Sequence, residues 1–86
     1  MQRQRIDVRI PLRVYVRFSD TGIMPQAFLW NGRNMEIKSF SVVGESYPKV
    51  HCSAPIAYDV VCDTGKTRIY FEQKLRAWFK IEHAWN

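Results

Sequence analysis

The chain has 86 residues, of which 47% are hydrophobic and 24% are charged. This length and composition predict one small globular domain over residues 1–86 and exclude an intrinsically disordered chain. The formal net charge of +5 favours a polyanionic partner, either nucleic acid or an acidic protein surface, although mild basicity without any specific partner fits equally well.

The first predicted element is a long strand from Ile6 to Phe18. Every second residue in it is apolar, and the residues between are polar, charged, Pro or Tyr. Because successive side chains of a strand point to opposite faces, one face is apolar and the other basic. The basic face carries Arg5, Arg9, Arg13 and Arg17, with Tyr15 between the last two. We expect so long a strand to bend near Pro11, and such a bend could place Arg5 and Arg17 on different sides.

A hairpin is predicted next. The segment from Ser19 to Gly22 has the composition of a turn, and a second strand follows from Ile23 to Trp30. Pro25 has no N–H to donate, so the start of this strand should lie at an edge or before regular pairing begins. Asn31-Gly32 is typical of a two-residue turn, which pairs Trp30 with Arg33 in the third strand.

The rest of the chain predicts more strands. The third strand should continue towards Phe40–Val43, and 44–55 is a loop by composition. A second hairpin around Thr64-Gly65 pairs Asp63 with Lys66. Residues 72–77 predict a loop or a single helical turn, and 78–85 a last strand. Five or six antiparallel strands predict an all-β fold, as a strongly bent sheet or small open barrel.

No motif in the chain predicts catalysis. There is no Gly-rich phosphate loop, no nucleophile elbow and no spaced pair of carboxylates. The remaining candidates, His51, Cys52, Cys62 and His83, lack metal-ligand spacing. We therefore predict no enzyme activity, no metal and no cofactor, with Cys62 in the core. The two cysteines, the lack of an export signal and the lack of a long apolar run predict a cytoplasmic protein without membrane contact.

The basic strand face is the main functional lead. Arginine suits bidentate contacts with phosphate, and an aromatic ring between two arginines offers a base a stacking surface. A second aromatic and guanidinium pair, capable of a cation–π contact, lies at the first hairpin. The predicted nucleic-acid contacts are Arg5, Arg9, Arg13, Tyr15, Arg17, Trp30 and Arg33.

Two other interpretations of the same residues remain open. A solvated strand face must be polar, and arginine stems cover neighbouring apolar surface without any partner being bound. Alternatively, the domain binds another protein or associates with itself, through an exposed sheet edge or through aromatic residues such as Trp78 and Trp85.

Part of the chain resembles a small bacterial domain family of unknown function. The similarity begins with the order Pro25-x-x-Phe28-x-Trp30-x-Gly32-Arg33 and continues with Tyr58-x-Val60, Gly65, Tyr70-Phe71 and Trp78 to Trp85. In that family a P-x-x-F-x-W-x-G-R hairpin precedes a Y-x-V…G…Y…W segment, and some members occur near proteins related to error-prone DNA repair polymerases. The resemblance implies an accessory binding domain, carries over no catalytic residue and favours nucleic-acid binding. The basic first strand and the 44–55 loop lie outside the family pattern.

Overall fold

A computed structural model describes residues 4–20, 22–43 and 55–85, without the side chains of the last two. Its strands are β1 (Arg5–Ser19), β2 (Gly22–Trp30), β3 (Arg33–Glu36), β4 (Ser39–Val43), β5 (Ile56–Cys62), β6 (Gly65–Glu72) and β7 (Ala77–Trp85). They form one antiparallel sheet in the order β3-β2-β1-β7-β6-β5-β4. The predicted all-β fold is confirmed. Residues 73–76 form a turn between β6 and β7, where the sequence predicts a loop or a single helical turn.

The sheet curls strongly into a half-barrel. Its two edge strands, β3 and β4, are joined by only Ile37 and Lys38. The Ile37 N–H donates to the Gln26 carbonyl at 2.9 Å, next to the β2–β3 ladder, and the Lys38 N–H donates to the Val61 carbonyl at 2.7 Å, next to the β4–β5 ladder. This change of partner divides the predicted third strand in two, which is why seven strands replace the expected five or six.

Strand β1 belongs to both parts of the sheet. Its first half pairs with β7 up to Leu12, and its second half pairs with β2 from Arg13 onwards. The partner change follows directly after Pro11, close to the predicted bend. A bulge lies further along, because Tyr15 pairs with Ala27 while the next residue of β1 pairs with Pro25. Strand β3 ends opposite Ala27, so Pro25 is paired only on its β1 side, as its missing N–H predicts.

The core lies on the concave side of the curled sheet. Phe28, Val60 and Ile69 are at most 1% exposed. The other buried members of the cluster are Leu12, Tyr58, Cys62 and Trp78. At about 1.5–3 kcal/mol for each large apolar side chain, this cluster supplies most of the driving force for folding. The half-barrel stays open beside it as an apolar cavity of about 580 Å³, and Phe18 at its rim is 76% exposed.

The two hairpins differ in how well their predicted pairing holds. The first is confirmed: Trp30 pairs with Arg33, and Asn31 has the positive φ that the turn requires. In the second hairpin the predicted pairing is wrong by two residues. Cys62 pairs with Gly65, which has a φ of +121° and lies after the turn instead of within it. A shift of two keeps every side chain on its predicted face but changes its partners.

The predicted pairing of Asp63 with Lys66 is therefore wrong. Lys66 lies opposite Val61, and Asp63 instead accepts a contact of 2.7 Å from the Lys38 ammonium group. This contact raises the pKa of Lys38. Because Lys38 lies in the link between β3 and β4, the contact joins that link to the turn between β5 and β6.

Candidate nucleic-acid interface

The seven predicted contact residues are divided between the two faces of the sheet. Arg13, Tyr15 and Arg17 are exposed on the outer, convex face, while the valines between them pack against the core. Trp30 packs against that core from β2, and its partner Arg33 shares its side of the hairpin. The structure therefore does not bring all seven residues together on one surface.

The first half of β1 projects as a two-stranded ribbon, which we define as Arg5–Ile10 of β1 with Lys80–Trp85 of β7. Among the described residues these segments pair only with each other, because β6 pairs with β7 no further than Phe79 and β2 reaches β1 only at Arg13. The outer face of the ribbon carries the first two predicted contacts, Arg5 and Arg9.

Arg5 is partnered by a carboxylate on its own strand. Its Nε lies 3.4 Å from Oδ1 of Asp7, and the same oxygen lies 2.8 Å from Nδ1 of His83 across the ribbon. All three side chains are about half exposed. The carboxylate offsets the charge of the arginine. The N-terminal end of the basic face of β1 therefore attracts a polyanion less than the sequence suggests.

Arg9 is held against the body of the sheet. Its guanidinium lies 4.4 Å from the centre of the Phe79 ring, and its Nη1 lies 3.5 Å from Oε2 of Glu72, whose side chain is only 12% exposed. Phe79 also stacks on Tyr70, with ring centres 5.2 Å apart. These contacts cover Phe79, which is 6% exposed although it lies on the outer face, so Arg9 has a structural role there.

Arg13 and Arg17 are different. Both are exposed, and no carboxylate of the described residues lies within 4.0 Å of either guanidinium. Tyr15 between them is 51% exposed. On an extended strand the two arginines are separated by about 13 Å. This half of β1 therefore presents two free cations on either side of an accessible aromatic ring.

The cation on Trp30 is not the one the sequence predicts. Arg33 is its cross-strand partner, but the Nζ of Lys80 lies 4.4 Å from the centre of the Trp30 ring. Lys80 and Trp30 are both half-buried, so the contact joins β7 to β2 through the interior. Sequence reasoning missed Lys80 because the two residues are brought together only by the curl of the sheet.

A further basic cluster lies in a notch where β6 and β7 separate. This polar cavity of about 420 Å³ is lined by Arg5, Asp7, Thr67, Arg68, Tyr70, Lys80, Ile81 and His83. Arg68 makes two contacts with the Asp59 carboxylate, at 2.6 and 3.2 Å. The guanidinium lowers the pKa of Asp59, and the carboxylate raises the pKa of Arg68. The notch is therefore less basic than its arginine and lysine content suggests.

The remaining candidates for chemistry are few. Within the described segments, no three His, Cys, Asp or Glu side chains lie close enough to hold a metal ion. Cys62 is buried as predicted, and burial raises the pKa of its thiol, which disfavours the reactive thiolate. The loop residues His51 and Cys52 lie outside the described residues. The described strands and turns include no helix that could span a bilayer.

No protein-family model, curated protein or solved structure matches this chain. The resemblance to a bacterial domain family therefore stays a prediction. The outer face of β1 carries the remaining functional lead.

Proposed function

We propose that this domain is a non-enzymatic module that binds single-stranded nucleic acid through Arg13, Tyr15 and Arg17 on the outer face of β1. One observation carries the proposal: two arginines that no carboxylate of the described residues contacts lie on either side of an exposed tyrosine on one strand. The net charge of +5 supports it, because a positive field draws a polyanion towards the surface.

The chemistry of the three side chains suits an extended strand of nucleotides. The separation of about 13 Å between the arginines matches roughly two nucleotides of extended backbone, so each guanidinium reaches a different phosphate. A base between those phosphates stacks on Tyr15, and stacking accepts any base. Phosphate contacts and stacking predict binding without strong sequence preference and with a clear dependence on salt.

The proposed contact set is smaller than the seven residues that the sequence predicts. Arg5 and Arg9 are left out because each already faces a carboxylate. Trp30 and Arg33 are left out because they belong to the other face of the sheet. This division makes the proposal testable with matched pairs of arginines from the same strand.

The experiment is a titration of a fluorescent single-stranded oligonucleotide, followed by anisotropy at two salt concentrations. The variant R13Q/R17Q is compared with R5Q/R9Q, which removes the same charge from the ribbon. We expect the first variant to weaken binding about tenfold or more and to reduce the salt slope by about 1.4, from two lost phosphate contacts at about 0.7 each. We expect the second to have a clearly smaller effect.

The outcomes separate a specific surface from general basicity. Equal losses in the two variants would mean that only net charge matters and would overturn the proposed site. No binding of the wild-type chain at low salt would overturn nucleic-acid binding altogether. The second candidate, an acidic surface of a nucleic-acid-processing protein, would then be favoured, because guanidinium groups pair with carboxylates as well as with phosphates.

A further inference from the structure

Within the part of the chain that the structure describes, the ribbon leaves an unpaired strand edge along the first half of β1. From Arg5 to Leu12 the strand pairs with β7 on one side, whereas β2 covers its other side only from Arg13. An uncovered edge presents backbone N–H and C=O groups that can pair with another strand. The edge spans about 23 Å, which is slightly longer than an ordinary strand.

The charged side chains along this edge, Arg5, Asp7 and Arg9, are of both signs, so two copies of the edge can pair them instead of repelling each other. Ile6 is 43% and Val8 is 39% exposed, on the face of the ribbon that continues the apolar face of β1. Proteins that keep such an edge monomeric usually place lysine on it, cover it or shorten it. The described part of this edge has no lysine, and Pro11 lies only at its end.

The sequence of the edge is complementary to itself. Antiparallel pairing of two copies about a twofold axis at Val8 places Val8 opposite its own copy and Ile6 opposite Ile10. On the other face it places Asp7 opposite Arg9 twice, once on each side of the axis. Opposite charges and paired apolar side chains across strands each favour such a ladder. Pro11, which lacks an N–H, ends it.

Other registers are poorer. Centring the axis on Asp7 places that carboxylate against its own copy and Arg5 against Arg9. Centring the axis on Ile6 limits the ladder, among the described residues, to the short segment Gln4–Val8. Any register shifted by one residue places apolar side chains opposite charged ones.

Asp7 is also able to accept a second partner. Its closest contacts to Arg5 and to His83 both use Oδ1. A carboxylate has two oxygens with several acceptor positions, and the Asp7 side chain is 49% exposed. The guanidinium of Arg9, which is 58% exposed, could therefore contact the Asp7 carboxylate of a second copy without displacing Arg5 or His83.

The free edge of β7 is less suitable. An axis at Glu82 opposes two carboxylates, and an axis at His83 pairs no opposite charges. An axis at Ile81 does pair Lys80 with Glu82, but Phe79 already pairs with Tyr70 of β6, so that ladder would be only three residues long. This edge also faces the notch walled by Thr67, Arg68 and Tyr70 of β6. Of the two edges, that of β1 therefore allows the longer self-complementary ladder.

We propose that two copies of this chain associate by antiparallel pairing of their β1 edges about Val8, which joins their two sheets into one. The proposal does not depend on nucleic-acid binding, because Arg13 and Arg17 lie outside the ladder. The variant R13Q/R17Q is accordingly expected to remain dimeric, so either proposal can fail without the other.

The first test is sedimentation of the wild-type chain over a concentration series, together with V8K and V42K. Val8→Lys places two ammonium groups together on the twofold axis and is expected to yield a monomer. Val42→Lys is the matched control, because Val42 is 54% exposed on the edge strand at the far end of the sheet. We expect V42K to dimerise like the wild type, and both variants to unfold within about 0.5 kcal/mol of it at concentrations too low for dimerisation.

The second test reads the register by disulfide formation in a C52S background. Under oxidation Val8→Cys is expected to form a covalent dimer, because its two copies are direct partners with Cα atoms within disulfide reach. Ile6→Cys is expected to stay monomeric, since its two copies are about 13 Å apart along the ladder. The native Cys62 is buried and does not compete.

Several results would overturn the proposal. A wild-type chain that stays monomeric at every concentration would do so, as would loss of the dimer in V42K but not in V8K. Cross-linking of Ile6→Cys without Val8→Cys would exclude the proposed axis.

Discussion

The two halves of β1 have the same alternating sequence and opposite surroundings. In the ribbon, the apolar side chains Ile6 and Val8 remain about 40% exposed; in the body, Leu12 is 8% exposed. The body half is covered by the core side chains of β2, β5 and β6, and β7 is the one described strand that pairs with the ribbon half. Alternation thus determines which face a side chain lies on, but burial depends on what lies across from that face.

The charges of the two halves differ in the same way. Arg5 and Arg9 of the ribbon face Asp7 and Glu72, whereas Arg13 and Arg17 of the body face solvent. A row of four arginines that looks uniform in the sequence is therefore two pairs with different roles. Arg5 contacts a carboxylate within the ribbon and Arg9 joins the ribbon to the body, whereas no carboxylate of the described residues contacts Arg13 or Arg17.

The largest expected difference between the two regions concerns stability. Ile69→Ala removes a side chain that is fully buried in the body and should lower the free energy of unfolding by about 2–5 kcal/mol. Ile6→Ala makes the same change in the ribbon and should cost less than about 1 kcal/mol, because the residue is exposed and leaves no cavity. Urea unfolding of both variants measures the two losses. Similar losses would show that the ribbon face is covered in solution.

A smaller effect is expected at the junction of ribbon and body. Lys80→Met keeps the apolar stem but removes the ammonium group from the Trp30 ring. We expect a loss of about 0.5–2 kcal/mol in unfolding free energy, because the contact is half-buried. Lys74→Met, in the exposed turn between β6 and β7, is the control and should have almost no effect. An equal change in both variants would argue against the cation–π contact.

The smallest effect concerns the ion pairs and pH. The folded pKa of Asp59 lies below its unfolded value because Arg68 binds the carboxylate. The stabilisation is therefore complete above the unfolded pKa and is lost as the pH falls through the folded pKa. The difference in urea midpoint between the wild type and Asp59→Asn should shrink as the solution is acidified from neutral pH.

The ribbon provides the comparison for this prediction. Asp7→Asn at neutral pH should change the midpoint less than Asp59→Asn does, because Asp7 lacks the two-point contact that Arg68 makes with Asp59. A larger effect of Asp7→Asn would place more stability in the ribbon than its exposure suggests.

Part of this structure could be predicted because it depends on a few neighbouring residues. Asn31-Gly32 accepts positive φ and so determines the first hairpin and its pairing. In the second hairpin the same reasoning placed Gly65 inside the turn, although it follows the turn, and the pairing came out two residues wrong. The inward faces of both hairpins were still correct, because a shift of two preserves alternation.

The candidate site was less predictable. The face of Arg13, Tyr15 and Arg17 follows from alternation, but nothing local to Arg9 indicates that Glu72 and Phe79 will engage it. The cation on Trp30 was likewise assigned to the neighbouring Arg33, whereas Lys80 comes from the other end of the chain.

The sequence by itself therefore determined where the chain is extended, the two faces of each strand and the first turn, since these depend on steric and backbone preferences over a few residues. Tertiary structure alone decided which half of β1 is covered, which arginines find carboxylates and which edge stays unpaired. Those outcomes depend on contacts such as that between Asp7 and His83, which are 76 residues apart and meet only when the first and last strands pair.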